Sequence, residues 1–140
     1  MIQTETILKA VDNSGAKTVK CIKVLSNAKY AHIGDCILVS VRSVRSAGAV
    51  SNKHNARRAQ NIKKGQIFKA LVIRTKKGIT GRRCGHEIAF QSNDVVLIQG
   101  DGNDASTENL IGSRIFGPIT RELRAKNYRK IISKSRKRML

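Results

Sequence analysis

The chain has 140 residues, enough for one domain with a modest aliphatic core, because 40% of its residues are hydrophobic and only 4% are aromatic. Lys and Arg total 28 against 9 Asp and Glu, a net charge of +19 that favours a polyanionic partner, nucleic acid above all. No apolar run approaches the roughly 20 residues of a membrane-spanning helix, and the three cysteines lack the spacing of a disulfide framework or zinc site.

The first hundred residues predict short strands separated by turns rich in Gly, Asn and Asp. In residues 36–44, Ile37, Val39 and Val41 recur at every second position, which is the period of a strand with one buried face. Residues 95–98 are apolar throughout, which predicts a strand buried on both faces. Short strands with little helix between them predict a mainly β fold, a small closed barrel of about five strands. The predicted strands are residues 6–11, 18–25, 36–44, 67–75, 87–90 and 95–98.

After Pro118 the composition becomes helical and then strongly basic. Residues 119–125 and 128–133 predict two short helices, which we expect to dock on the barrel through Leu123, Ile131 and Ile132. We therefore divide the chain into a barrel domain over residues 1–117, with a basic loop insertion at about 45–62, and a C-terminal part over residues 118–140.

The charges are segregated along the chain, with basic blocks at residues 42–64, 74–83 and 121–140 and an acidic block at residues 84–113. One side of the molecule should therefore be cationic and another neutral to acidic. The basic loop at residues 47–61 should reach RNA, although a surface insertion without a fixed contact is the alternative. The turn at residues 74–78 should cradle a phosphate. The candidate phosphate-binding residues are Arg42, Arg45, Lys53, Arg57, Arg58, Lys63, Lys64, Arg74, Lys76, Lys77, Arg82, Arg83, Arg121 and Arg124.

Catalysis is not indicated by any motif in the chain. His32, His54 and His86 lie in no known nucleophile or metalloprotease context. An RNA-modifying enzyme would need a cofactor loop or an acid–base pair, and we find neither, so we expect no enzyme activity, cofactor, metal or small-molecule substrate. A free single-strand-binding module would favour aromatic platforms, which are scarce here. Recognition of folded RNA through its shape and phosphates fits better.

Three segments carry a resemblance to a known family. The turn Asp-Asn-Ser-Gly-Ala at residues 12–16, residues 63–78, and Ile-Gly-Ser-Arg-Ile-Phe-Gly-Pro-Ile-Thr-Arg-Glu-Leu-Arg at residues 111–124 resemble ribosomal large-subunit protein fourteen of the bacterial type. The resemblance covers nearly the whole chain. It implies a five-stranded barrel with a protruding basic hairpin and two small C-terminal helices.

The resemblance also implies partners. Such proteins bind large-subunit rRNA, touch neighbouring large-subunit proteins and reach small-subunit rRNA across intersubunit bridges. The family's C-terminal surface also receives a ribosome-silencing factor, and Ser113, Arg114 and Lys130 match it by position. Plain rRNA contact or solvated charge is the alternative for these three residues.

The chain departs from the bacterial pattern at three places. Cys84 stands where the family signature prefers Asp, Asn or Ser, about a dozen extra residues lie between 48 and 60, and the tail at 134–140 is more basic. These departures predict a mitochondrial ribosome, with a plastid or bacterial ribosome as the alternative. The first residues resemble neither a signal nor a transit peptide, as expected for a gene carried in the organelle.

Replacing both Arg57 and Arg58 with Ala tests the basic loop. If both contact phosphates, the slope of log affinity for rRNA against log salt concentration should fall by up to about 1.4–1.8, since each phosphate contact contributes about 0.7–0.9. The measurement is a binding titration at several salt concentrations. An unchanged slope would remove the loop from the RNA contacts.

Overall fold

The computed structural model describes residues 1–26, 28–45, 62–79, 82, 84–99, 109–135 and 139–140. Most of the predicted loop insertion lies outside these residues, and the domain boundary after residue 117 stays a prediction. The described elements are β1 (Ile7–Ala10), β2 (Ala16–Val24), β3 (Cys36–Val44), β4 (Ile67–Arg74), β5 (Asp94–Gln99), β6 (Asn109–Leu110), α1 (Glu122–Ala125) and α2 (Arg129–Ser133).

The first five strands form a closed barrel, as the sequence predicted. Each strand from β1 to β5 pairs with the next in antiparallel fashion, and a parallel pairing between β1 and β5 closes the ring. Strand β6 pairs with β5 outside this ring. Closure leaves the five strands without free edges, which suits a chain whose aliphatic strands would otherwise be open to association.

The barrel interior is aliphatic and follows the predicted period. In β3, Ile37, Val39 and Val41 are buried while the intervening side chains are more exposed. The register places Ala70 opposite Leu97 on the inner side of β4 and β5. Removing these branched side chains from water is the main favourable contribution to folding, about 1.5–3 kcal/mol for each one fully buried.

A second apolar layer lies on the outside of β4 and β5. Leu71 pairs with Val96, on the face opposite to Ala70, and both are fully buried. The C-terminal segment covers this face, since the Tyr128 hydroxyl lies 3.6 Å from Cys36 Sγ and Cys36 pairs with Leu71. This cover explains why residues 95–98 are buried on both faces, as predicted.

The two C-terminal helices are shorter than predicted. Residue Ile119 forms a parallel bridge with Met139, so the chain turns into α1 only at Glu122. Leu123 and Ile131 are buried as expected, and Ile132 is partly buried. Each helix has at most five residues, and within the described ranges no helix has the length and apolar character to cross a membrane.

Two strand predictions were wrong. Residues 87–90 form no strand, because Ile88 forms only an isolated bridge with Ile79 and the Phe90 N–H donates a single hydrogen bond of 3.2 Å to the Thr75 carbonyl. Strand β6 was not predicted, since two residues are too short to show a period.

The turn after β1 is tied to the neighbouring strand β5 by a buried carboxylate. Asp12 Oδ1 accepts hydrogen bonds from the backbone N–H and the hydroxyl of Ser14, and Oδ2 accepts one of 2.8 Å from the Leu97 N–H. Charge-assisted hydrogen bonds of this kind compensate the cost of burying a carboxylate.

A buried ion pair fixes the segment that crosses to the C-terminal helices. Arg74 Nε lies 2.9 Å from Asp94 Oδ2, and an Nη2 hydrogen of Arg74 is donated to the Phe116 carbonyl over 2.6 Å. Gly117 has φ +88°, and a Cβ there would lie 2.2 Å from Arg74 Nη1. The guanidinium is held on both sides, so a side chain at residue 117 would displace it.

Replacing Gly117 with Ala should therefore destabilise the fold more than replacing Gly65 with Ala. Gly65 has nearly the same φ, +89°, but open space around a Cβ. Left-handed backbone alone should cost Gly65→Ala about 1–2 kcal/mol, and the clash should cost Gly117→Ala about 1–3 kcal/mol more. Urea unfolding measures both free energies. Equal losses would contradict the close packing of Arg74 on Gly117.

Candidate RNA-binding surface

Internal ion pairs neutralise most of the acids that the structure describes. Of six described Asp and Glu residues, four pair with a cation: Glu5 with Lys20, Asp35 with Lys126, Asp94 with Arg74 and Glu122 with Arg82. The Asp12 carboxylate is buried and accepts hydrogen bonds within the protein. The sequence predicted that one side of the molecule would be neutral to acidic. Asp94 does not contribute to such a side because it is buried, and Asp101, Asp104 and Glu108 lie outside the described residues.

Other cations predicted to bind phosphate form no ion pair with a described acid. These cations lie in three places. The first, which we call the loop-end cluster, comprises Arg42, Arg45, Lys63 and Lys64. Val41 connects the part of this cluster with Arg42 and Arg45 to the turn with Lys63 and Lys64, because the Val41 carbonyl accepts a hydrogen bond of 2.8 Å from the Gly65 N–H. Residues 46–61 connect Arg45 to Ile62 along the chain. The predicted contact residues Lys53, Arg57 and Arg58 belong to this segment and lie outside the described residues.

The second place, the turn cluster, comprises Lys76 and Lys77 after β4. The Thr75 hydroxyl donates to the Lys77 carbonyl at 2.9 Å and shapes the turn. The Lys76 N–H donates to Asn93 Oδ1 at 2.8 Å, so this amide is occupied and cannot serve the predicted phosphate cradle. Both lysine side chains are exposed and remain able to reach a phosphate.

The third place is the C-terminal surface, with Arg121 exposed just before α1, Arg124 exposed within α1 and Lys130 exposed on α2. Ser113 and Arg114 lie in the neighbouring loop. Their loop approaches α2 through a 3.2 Å hydrogen bond from the Ile115 N–H to the Lys134 carbonyl.

Asn13 organises the loop that carries Ser113 and Arg114, a role that the sequence did not reveal. Its Nδ2 donates to Ser113 Oγ at 2.8 Å, and its Oδ1 accepts from the Arg114 N–H at 3.0 Å. Gly112 permits the close approach, because a Cβ there would lie 2.9 Å from Asp12 Cβ. The turn motif at residues 12–16 signalled a turn, but a contact spanning a hundred residues leaves no local pattern.

Two residues of the predicted phosphate-binding set have internal partners instead. Arg74 is buried in its pair with Asp94, and burial lowers the pKa of its guanidinium although the carboxylate opposes the change. Arg82 donates to both carboxylate oxygens of Glu122, over 2.6 Å and 2.8 Å, and to the Leu140 carbonyl. Both arginines hold the C-terminal segment on the barrel. Arg83 lies outside the described residues.

Of the three cysteines, Cys21 is buried, Cys36 is partly buried and Cys84 is exposed. Burial raises the pKa of the Cys21 thiol, whereas hydrogen bonds from His86 lower the pKa of Cys84. Across the described part of the chain, no three potential metal ligands come together.

Comparison with known protein families identifies the family to which the chain belongs. The family model described as ribosomal protein L14p/L23e matches residues 1–139. The chain belongs to this family. The L14p/L23e proteins are structural components of the large ribosomal subunit and not enzymes, so this member takes part in translation in association with rRNA and ribosomal proteins. The resemblance stated from the sequence is thereby confirmed.

Acid should weaken the attachment of the C-terminal segment through Glu122. Burial opposes ionisation of Glu122, but hydrogen bonds from Arg82 outweigh it and the pKa lies below its ordinary value of 4.5. A carboxylate with a lowered folded-state pKa contributes stability above about pH 4.5 that is lost as the pH falls through the folded-state pKa. Glu122→Gln should therefore cost about 1 kcal/mol at pH 7, because the pair is only partly shielded from solvent.

The measurement is the free energy of unfolding of both proteins between pH 7 and pH 3. The difference between wild type and Glu122→Gln should shrink below about pH 4.5. Glu87→Gln is the control, since Glu87 is exposed and forms no ion pair with a described residue. A difference that stays constant with pH would contradict the role given to the Arg82–Glu122 pair.

Proposed function

We propose that this L14p/L23e family member binds large-subunit rRNA through the loop-end cluster, the turn cluster and the arginines of α1. The observation that carries the proposal is the asymmetry of charge pairing. Four of the six described acids pair with cations of the protein itself, while the exposed cations of these three places have no acid partner among the described residues. Unpaired cations on a protein of charge +19 repel one another, and phosphates relieve that repulsion.

The positions of the clusters support contacts with separate stretches of RNA. β4 begins after the turn that holds Lys63 and Lys64 and ends just before Lys76 and Lys77. Its eight residues span about 25 Å, at roughly 3.3 Å per residue. Phosphates bound at both ends of the barrel would therefore not belong to neighbouring nucleotides of the rRNA. A protein placed in this way stabilises the folded RNA instead of reading its sequence.

Within the C-terminal surface, Ser113, Arg114 and Lys130 form the proposed intersubunit side. Ser113, Arg114 and Lys130 are exposed, and the first two are held in place by Asn13. We assign to this surface contacts with small-subunit rRNA, and with a ribosome-silencing factor where the organism has one. Simple contact with large-subunit rRNA would use the same charges, and the two are separated by footprinting this surface in free large subunits and in complete ribosomes.

The proposed location is the large subunit of a mitochondrial ribosome, alongside other large-subunit proteins. Support comes from the basic tail and the added residues between 48 and 60, which depart from the bacterial pattern. Fractionation of the source cells checks this location. Recovery in plastid or bacterial cytoplasmic ribosomes alone would exclude it.

Co-sedimentation with large subunits is the test of the proposed function. The protein should migrate with the subunit peak at low salt and be released as the salt concentration rises, because counterion release drives binding to phosphates. Replacing Lys76 and Lys77 together with Ala should lower the slope of log affinity against log salt by up to about 1.4–1.8.

The matched control is replacement of Lys20 and Lys126 with Ala, which removes the same charge from residues already paired with Glu5 and Asp35. Its salt slope should change less than that of the Lys76 and Lys77 variant. Equal changes would mean that net charge alone drives binding. A wild-type protein that stays out of the subunit peak at low salt would overturn the proposal.

A further inference from the structure

A groove of about 510 Å³ opens at the loop end of the barrel, where β1 ends, β2 begins and β3 ends. Its volume falls within the range of about 300–1,000 Å³ that is typical of small-ligand sites. Three cations and no acid line it among the described residues. The lining residues are Lys9, Ala10, Val11, Lys17, Thr18, Val44 and Arg45.

Arg45 is fixed in the wall of this groove. Its backbone N–H donates to the Gly15 carbonyl at 2.8 Å, and an Nη2 hydrogen is donated to the Ala10 carbonyl over 3.2 Å. Its Cζ lies 5.5 Å from the centroid of the Phe116 ring, within the range of a cation–π contact. A guanidinium held by backbone and ring has less conformational freedom than an ordinary surface arginine. Less conformational entropy is therefore lost when a ligand stacks on it.

The ring of Phe116 is itself held and yet open to solvent. Its backbone N–H donates to the Val11 carbonyl at 2.8 Å, which keeps it beside the groove. The side chain is 46% exposed, and Val44 in the groove is 37% exposed. A planar aromatic and a branched aliphatic side chain left in water offer a flat apolar surface, whereas a site for phosphate alone would need only the cations.

Two further cations flank this apolar surface. Lys9 and Lys17 are exposed, line the same groove and form no ion pair with a described acid. An occupant must therefore combine a flat apolar part with negative charge on its neighbouring groups. A nucleotide with its base turned out of the helical stack has this chemistry, since aromatic and Arg planes stack on bases while lysines bind the adjoining phosphates.

We propose that the groove holds one unstacked nucleotide of the rRNA, with its base against the Arg45–Phe116 pair and its flanking phosphates on Lys9 and Lys17. This inference rests on the proposed function, because it names the element of the rRNA that one part of the surface binds. It adds a base-binding position to a surface otherwise described by phosphate contacts.

Binding of rRNA purified from the large subunit is measured with wild type, Phe116→Ala, Phe116→Tyr and Ile67→Ala. Phe116→Ala should weaken binding about 5- to 150-fold, the range for one stacked base, without changing the salt slope. Phe116→Tyr keeps the ring and should bind more tightly than Phe116→Ala. Ile67→Ala removes an exposed apolar side chain, 59% accessible, from another strand and should have no effect.

Arg45→Lys and a Lys9→Ala, Lys17→Ala double variant test the other groups. Arg45→Lys keeps the charge but loses the plane, so it should weaken binding while leaving the salt slope unchanged. The double lysine variant should lower the slope by up to about 1.4–1.8. Thermal unfolding of every variant confirms that it is folded, and ultraviolet crosslinking of the wild-type complex should attach a nucleotide to the peptide that contains Phe116.

Two outcomes overturn the inference and leave the proposed function standing. One is equal binding by Phe116→Ala and Ile67→Ala, and the other is a lowered slope in the double lysine variant without any effect of Phe116→Ala, which would mark a groove for phosphates alone. If wild type itself fails to bind the rRNA at low salt, the proposed function fails as well.

Discussion

The contacts of Arg74 and Arg82 hold the segment that begins at Phe116 against the barrel, and the candidate surface depends on them. Arg74 pairs with Asp94 of the neighbouring strand β5, and Arg82 pairs with Glu122 of α1. Arg74 also binds the Phe116 carbonyl, and Arg82 also binds the Leu140 carbonyl. The same pairs neutralise Asp94 and Glu122, which would otherwise offset the charge of exposed cations. Removing Asp94 would leave the buried Arg74 guanidinium uncompensated, so that contact is costly to break even where its net contribution is small, whereas the partly exposed Arg82–Glu122 pair contributes less.

The barrel separates the two requirements of a strongly basic protein. Folding depends on aliphatic side chains on the inner face and beneath the C-terminal segment, whereas the proposed RNA binding uses cations at the strand ends and in the turns. Val41 is buried in the core while its backbone positions the turn with Lys63 and Lys64. Charges can thus be exposed at the ends of strands without a cost in the core, although their mutual repulsion remains until a polyanion is bound.

Periodic features were predictable from the sequence, and the direction of individual charged side chains was not. The alternation in β3 and the apolar run at residues 95–98 identified strands correctly, because burial on one or both faces leaves a period or its absence. Arg74 and Arg82 stand in a basic stretch that suggested RNA contact, yet they meet Asp94 and Glu122 across 20 and 40 residues. Such pairings, like that of Asn13 with Ser113, exist only after the chain has folded.

Phosphate contacts and a base-binding groove would do different work in one complex. Cations give affinity and fast association, but phosphates repeat along any RNA, so cations alone do not fix which nucleotide lies where. A base held against Arg45 and Phe116 would fix that register. Arg45 lies in both the loop-end cluster and the groove, and its guanidinium is bound to the Ala10 carbonyl beside the turn of Asp12 and Asn13. The turn of residues 12–16 contacts Arg45 through the Gly15 carbonyl and the loop of Ser113 through Asn13, so the groove and the proposed intersubunit side share one structural support.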